Sequence, residues 1–200
     1  LEKHGDHWRE MVASALVDAG YDGGGRREIQ MIRPEGLLLR ISTAGFYNFV
    51  LVRPTIDPGL HELQVPNTSL HELAHAYGVA SEASASFIAY VAGSQSDDLL
   101  TRYSVELAFW RSLRNSCYLV DSSAAKTISS FVNPAVKEDI REIRRKMEQY
   151  PDLFPRLRDT LYDLFLRSQG VEEGLMSYEL YLPIVLSWEK QKKLWELKNN

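Results

Sequence analysis

Cysteine is almost missing from this chain: Cys117 is the single one in 200 residues. One thiol can neither close an internal disulfide nor build a cysteine-ligated zinc site, and its apolar surroundings read as a buried, inert packing position. Long hydrophobic runs are missing too. No segment reaches the ~18 uninterrupted apolar residues of a spanning helix, and none has the layout of a signal peptide. Positive charge is not in excess: 23 Lys and Arg stand against 27 Asp and Glu, a net charge of −4 that gives no reason to expect a nucleic-acid partner. Internal repeats, low-complexity tracts and linker-like stretches are absent, so one domain over residues 1–200 is the default. What is present, 44% hydrophobic and 25% charged residues, is the composition of a soluble globular chain with a substantial core.

Histidine is also scarce, at five residues, yet two of the five fall in His71-Glu72-Leu73-Ala74-His75, an HExxH pattern. Residues four apart on a helix stack on one face, so His71 and His75 can aim ring nitrogens at one ion. Glu72 lies about 100° around the helix from His71, poorly placed to ligate but within reach of a water beside the ion, the position of a general base. A third ligand has to come from farther along, because a straight helix carries the chain away. Gly78 offers the exit: in the left-handed conformation it ends the helix and lets the chain turn back, bringing Glu82 beneath the ion. Three protein ligands would leave the open position of a catalytic zinc site. The competing account is an amphipathic helix whose two histidines are solvated or satisfied within the core.

His71-Glu-Leu-Ala-His75, Gly78, Ser81-Glu82 and Ala85-Ser86-Phe87-Ile88-Ala89-Tyr90 resemble the HELAH, Gly, SExxANFxAYLA string of an uncharacterised family of bacterial membrane-anchored, gluzincin-like zinc metallopeptidases. Arg102-Tyr103-Ser104 is similar to that family's RYS segment, Gly45-Phe46-Tyr47 to its Gly-hydrophobic-Tyr step, and Phe165 to Gly170 with Gly174 and Ser177-Tyr178 to its closing pattern. The resemblance spans about residues 40–190. It implies a zincin-like fold, Zn2+ held by His71, His75 and Glu82, Glu72 as the base, and a peptide or protein substrate. Family members carry Asn or Asp where this chain has Ser86, and often an acidic residue where it has Ser84. They also carry transmembrane helices ahead of the peptidase domain, so the chain, which starts at Leu1, is expected to be a soluble fragment of a membrane-associated bacterial protein. Oligomeric state and the side of the membrane are left open.

Around the motif, residues 6–19 show helical spacing and end at Gly20 to Gly25. Extended candidates follow at 28–33, 37–42 and 46–53, grouped into a small antiparallel sheet over about 28–53 whose last strand could pair with an extended substrate or be purely structural. From 67 to about 197 the chain reads as helical. Asn67, Thr68 or Ser69 caps the metal helix, Ser81 or Glu82 opens the next, Asp97-Asp98 opens a long one to Val120, and Pro134 starts one to about Gln149. A further helix spans about 152–168, and the last runs from Ser177 to about Leu197 with Pro183 interrupting it. The fold class is therefore α+β, mostly α: a small sheet packed on a multi-helix domain with an HExxH helix.

Tyr178 is a candidate oxyanion donor, with Tyr77 and Tyr103 as weaker ones, against the plainer reading of buried, backbone-bonded tyrosines. His4, His7 and His61 have no ligand spacing and read as surface residues. Arg141, Arg144, Arg145 and Lys146 beside Glu138, Asp139 and Glu142 read as a solvated, ion-paired face, and Lys190 to Lys193 as a solvated helix end or a segment near anionic lipid. The function expected is metal-assisted amide hydrolysis. The alternative is a catalytically silent zinc-fold module that binds or regulates within a membrane complex. Because ligating histidines must be neutral, metal affinity is expected to fall below about pH 6.

Overall fold

The structure, a computed structural model, describes residues 4–25, 27–48, 53–153 and 180–199. Helix α1 (Gly5–Asp18) is followed by β1 (Gln30–Met31), a 3-10 turn at Leu39–Ile41, β2 (Gly45–Asn48) and β3 (Arg53–Ile56). Helices α2 (Val65–Ala76), α3 (Glu82–Ser94), α4 (Leu99–Val120), α5 (Ser122–Ser130), α6 (Pro134–Met147) and α7 (Tyr181–Asn199) complete the described chain. This is the α+β, mostly helical class the sequence implies. Among the described residues no helix is long and apolar enough to cross a membrane.

The sheet departs from expectation. Its order is β1-β3-β2, with β2 antiparallel to β3 but β1 parallel to it, so it is mixed rather than antiparallel. The last strand, β3, is central, and β1 and β2 form the two edges among the described residues. The apolar run 37–42 is no strand. The Asp57 carboxylate, fully buried, accepts hydrogen bonds from the backbone of Gly36 (2.7 Å), Leu38 (2.7 Å), Leu39 (3.3 Å) and Gly59 (2.7 Å), which curls the run into a turn. Strand pairing loses here because one buried carboxylate satisfies these donors locally.

Helix α2 starts earlier than Asn67 to Ser69 suggests. Gln64 precedes it, Pro66 sits in its first turn, where a missing N–H costs nothing, and Ser69 is buried inside the helix. The other starts follow the expected signals, with Ser81, Asp98 and Asn133 capping α3, α4 and α6. The short α5, capped by Asp121, has no counterpart in the sequence reading. Pro183 lies in the first turn of α7 and does not interrupt it. The helix expected at about 152–168 lies outside the described residues beyond Leu153.

Trp8, Val12 and Leu16 of α1, Leu70 and Leu73 of α2, Ile88 of α3, Val105 of α4 and Val185 of α7 form one buried cluster. Each large aliphatic side chain so buried contributes about 1.5–3 kcal/mol. The α3 face toward α2 is built of small residues, with Ala83, Ala85 and Ala89 buried, so the two helices approach closely and the start of α3 lies against the end of α2.

Candidate metal centre

Helix α2 supplies His71 and His75 from successive turns, and the way it ends decides the rest. Gly78 has φ +98°, Gly78 N–H donates to the His75 carbonyl (2.9 Å), and Val79 N–H donates to the Ala74 carbonyl (3.2 Å). This paired closure around a left-handed residue reverses the chain, and Ser81 then caps α3 by accepting from Ser84 N–H at 3.4 Å. Glu82 becomes the first residue of α3 and points back at the α2 histidines.

The result is a triangle. His71 Nε2 lies 3.1 Å from Glu82 Oε2 and 3.1 Å from His75 Nε2, and His75 Nε2 lies 3.4 Å from Glu82 Oε2. Ligand atoms about 2.0–2.2 Å from one tetrahedral ion are about 3.3–3.6 Å apart, so these edges come within about 0.2 Å of a coordination face. The outward nitrogens are held as well. His75 Nδ1 is 2.6 Å from the Val79 carbonyl, an acceptor only, so Nδ1 carries a proton and Nε2 faces the triangle. His71 Nδ1 lies 3.1 Å from Ser86 Oγ. When both Nε2 atoms are bare, two lone pairs and a carboxylate converge on one point, a donor set that repels itself unless it shares a cation or a proton. His71, His75 and Glu82 are also the residues in the described part of the chain whose ligand atoms cluster closely enough to hold a metal ion.

Electrostatics follow from burial and these contacts. Burial opposes charge on Glu82, but hydrogen bonds from His71 and His75 outweigh it and hold its carboxyl well below the usual range. Burial likewise opposes charge on His75, yet the Glu82 hydrogen bond and charge, with Glu72 and the Val79 carbonyl, lift its pKa above the ordinary value. At His71 burial prevails and the pKa falls.

Glu72 is only 5% exposed, and burial, opposed by His75 and reinforced by Glu82, pushes its carboxyl up to about 8. Its Oε2 has no hydrogen-bond partner among the described residues, so the group is available for proton exchange. The space for it comes from Gly45: a Cβ there would lie 2.8 Å from the Thr55 carbonyl, 2.9 Å from Glu72 Cγ and 3.1 Å from Glu72 Oε1. Gly45→Ala is therefore expected to displace Glu72 or β2 and cost about 1–3 kcal/mol in denaturant unfolding. An unchanged midpoint would mean the contact is slack.

A family model for a protein of unknown function, DUF3810, matches residues 17–185. The chain belongs to the DUF3810 family. No match was found among curated proteins or among solved structures. The matched stretch of this DUF3810 chain contains all four residues of the centre, Glu72 included.

Tyr178 lies outside the described residues, as do Phe165 to Gly170, Gly174 and Ser177. Tyr77 donates to the Gly25 carbonyl at 3.1 Å, and Tyr103 to the Asp139 carboxylate on α6, so both make structural bonds. His4 stacks on Trp8, and His61 Nδ1 accepts from Leu63 N–H. Cys117 is half-buried on α4 rather than sealed in the core. Sequence reasoning missed the Val79 carbonyl and the space at Gly45. The signal for the first was the helix-ending glycine itself, which fixes where the next carbonyl points.

Two outcomes test this geometry. Ser86→Ala, which removes the partner of His71 Nδ1, is expected to weaken zinc binding about 10–100-fold in chelator competition. Equal affinity would show that Ser86 does not orient the ring. A group protonated in the metal-free protein and bare in the bound one releases its proton on binding, so affinity rises with pH up to that group's metal-free pKa and is flat above it. With His75 raised and Glu72 at about 8, zinc affinity is expected to fall below about pH 8, by about tenfold per pH unit for each proton released. That moves the onset above the pH 6 expected from unperturbed histidines. Calorimetry in buffers of different ionisation enthalpy reads the released protons directly.

Proposed function

We propose that the chain is a zinc-dependent metallopeptidase that hydrolyses amide bonds with Glu72 as general base. The observation that supports this most is the buried Glu72 carboxyl group, its Oε2 unpartnered among the described residues, beside a three-ligand triangle with edges of 3.1, 3.1 and 3.4 Å. His71, His75 and Glu82 would hold the ion. Bound zinc supplies Lewis acidity toward a carbonyl oxygen and acidifies a water. Glu72 takes the proton from the attacking water at Oε2 and later delivers it to the departing amine nitrogen as the C–N bond breaks. Gly45 and the β3 backbone hold Glu72 on its line of approach, while Ser86 and Val79 fix the two imidazoles. Strand β2, paired only with β3 among the described residues, borders the site at Gly45 and offers its outer edge to an extended peptide, main chain to main chain.

The test is a peptide-library cleavage assay on zinc-loaded protein, repeated after chelator treatment and after zinc is restored. The proposal expects cleavage that disappears with the metal and returns with it. Stoichiometric zinc with no cleavage of any library member would contradict the peptidase reading and favour a silent binding module.

A further inference from the structure

Away from the metal centre, a groove of about 380 Å³ opens where α4, α5 and α6 meet. Arg114 of α4, Lys126 of α5 and Lys137 of α6 line it together with Ser129 and Ser130, and no carboxylate among the described residues does. One turn along α4, Arg111 has its pKa lowered by burial and by the charge of Arg144 on α6. Five cations thus collect around one seam of a chain whose net charge is −4. Like charges in such a seam repel unless an anion sits among them.

The carboxylates nearby are committed elsewhere. Glu138 pairs with Arg141 and Arg145, Glu142 lies 3.7 Å from Arg145, Asp139 accepts from Tyr103, and Asp121 caps α5. Among the described residues Arg111, Lys126, Lys137 and Arg144 make no ion pair, and Arg114 bonds only to the neutral Ser129 and Asn115. The basic stretch of α6 is therefore not uniformly the ion-paired face its sequence suggests: Arg141 and Arg145 are paired, while Lys137 and Arg144 turn to the seam. The residues that follow Tyr118 and Ser130 out of the groove are apolar and bare, with Leu119 85%, Val120 90% and Phe131 84% exposed.

We infer that the α4–α5–α6 groove is a binding site for a phosphate-bearing anion, with Arg114, Lys126 and Lys137 as its donors. The guanidinium offers a planar fork and the two ammonium groups offer point charges, a donor set suited to phosphate oxygens. A lipid headgroup and a free phosphate share this chemistry. The bare rim suits the lipid, whose acyl boundary would receive Leu119, Val120 and Phe131.

The test uses the full chain, with phosphatidylcholine vesicles, the same vesicles containing phosphatidylglycerol, and inorganic phosphate as probes. A Lys126→Glu/Lys137→Glu variant is compared with Lys190→Glu/Lys193→Glu, which changes net charge equally on α7. Co-sedimentation with the phosphatidylglycerol vesicles alone, weakened about tenfold or more in the groove variant and unchanged in the α7 variant, supports a lipid source. Saturable phosphate binding with the same variant pattern supports a soluble source. No binding of either probe, or equal losses in the two variants, overturns the site. Unchanged zinc content in the groove variant shows that its fold is intact and separates this result from any failure at the metal centre.

Discussion

Glu72→Gln is expected to lower peptide hydrolysis about 10²–10⁴-fold while leaving zinc content unchanged, the range by which a positioned general base accelerates proton transfer. Glutamine has the shape of the side chain it replaces, so it fits the same space against Gly45. It cannot take a proton from water. Metal binding should survive because the triangle of His71, His75 and Glu82 does not include Glu72. Stability should hardly suffer either, since among the described residues the buried Oε2 makes no hydrogen bond that the exchange would break. Rates measured on a zinc-loaded variant isolate the proton-transfer role. A variant within threefold of the parent would remove Glu72 from that role, whatever the metal content.

Asp57→Ala is expected to be the most damaging single substitution for the fold. Oδ1 accepts from Gly36 and Gly59, and Oδ2 from Leu38 and Leu39, all within a buried pocket. Charge-assisted hydrogen bonds are each worth about 1.5–3 kcal/mol, and orphaned buried donors add their own cost. After relaxation the loss should be about 4 kcal/mol or more, a large part of the 5–15 kcal/mol that typically separates folded from unfolded chains. At about 2–4 °C per kcal/mol for a chain of this size, the melting midpoint of the metal-free protein should drop about 8–16 °C or more. Asp57→Asn should be little better, because one of its two terminal atoms becomes a donor facing two donors. The consequence reaches the site, for Asp57 directly follows β3, donates its N–H to the Ala44 carbonyl, and so steadies the strand pair that carries Gly45 to Glu72. A drop of only a degree or two would show that water replaces the carboxylate.

What the sequence revealed and what it hid divide along the range of the interactions involved. Gly78 and Glu82 were legible because the helix end, the reversal and the next helix start are local events, each with its own residue signal. The α3 and α4 starts were legible for the same reason. The run 37–42 was not: its apolar content favours a strand, and the decision against it comes from Asp57, far along the chain. The parallel pairing of β1 with β3 is another long-range choice that no alternation pattern encodes. Helix α2 was misplaced at its start because Asn67, Thr68 and Ser69 all look like caps, whereas Pro66 in the first turn carries the true signal. Ser86 could be read as a departure from a motif but not as a partner of His71 Nδ1, which required the angle between α2 and α3.

A zinc titration of the parent against Glu82→Ala tests the triangle. Glu82 closes the triangle that two histidines alone leave open, with contacts of 3.1 and 3.4 Å. The account predicts one tightly held zinc per parent chain, and an affinity for the variant weaker by more than the roughly 10–100-fold expected from losing a ligand's supporting hydrogen bond. A parent that takes up no zinc, or a variant that holds it as tightly as the parent, would contradict it.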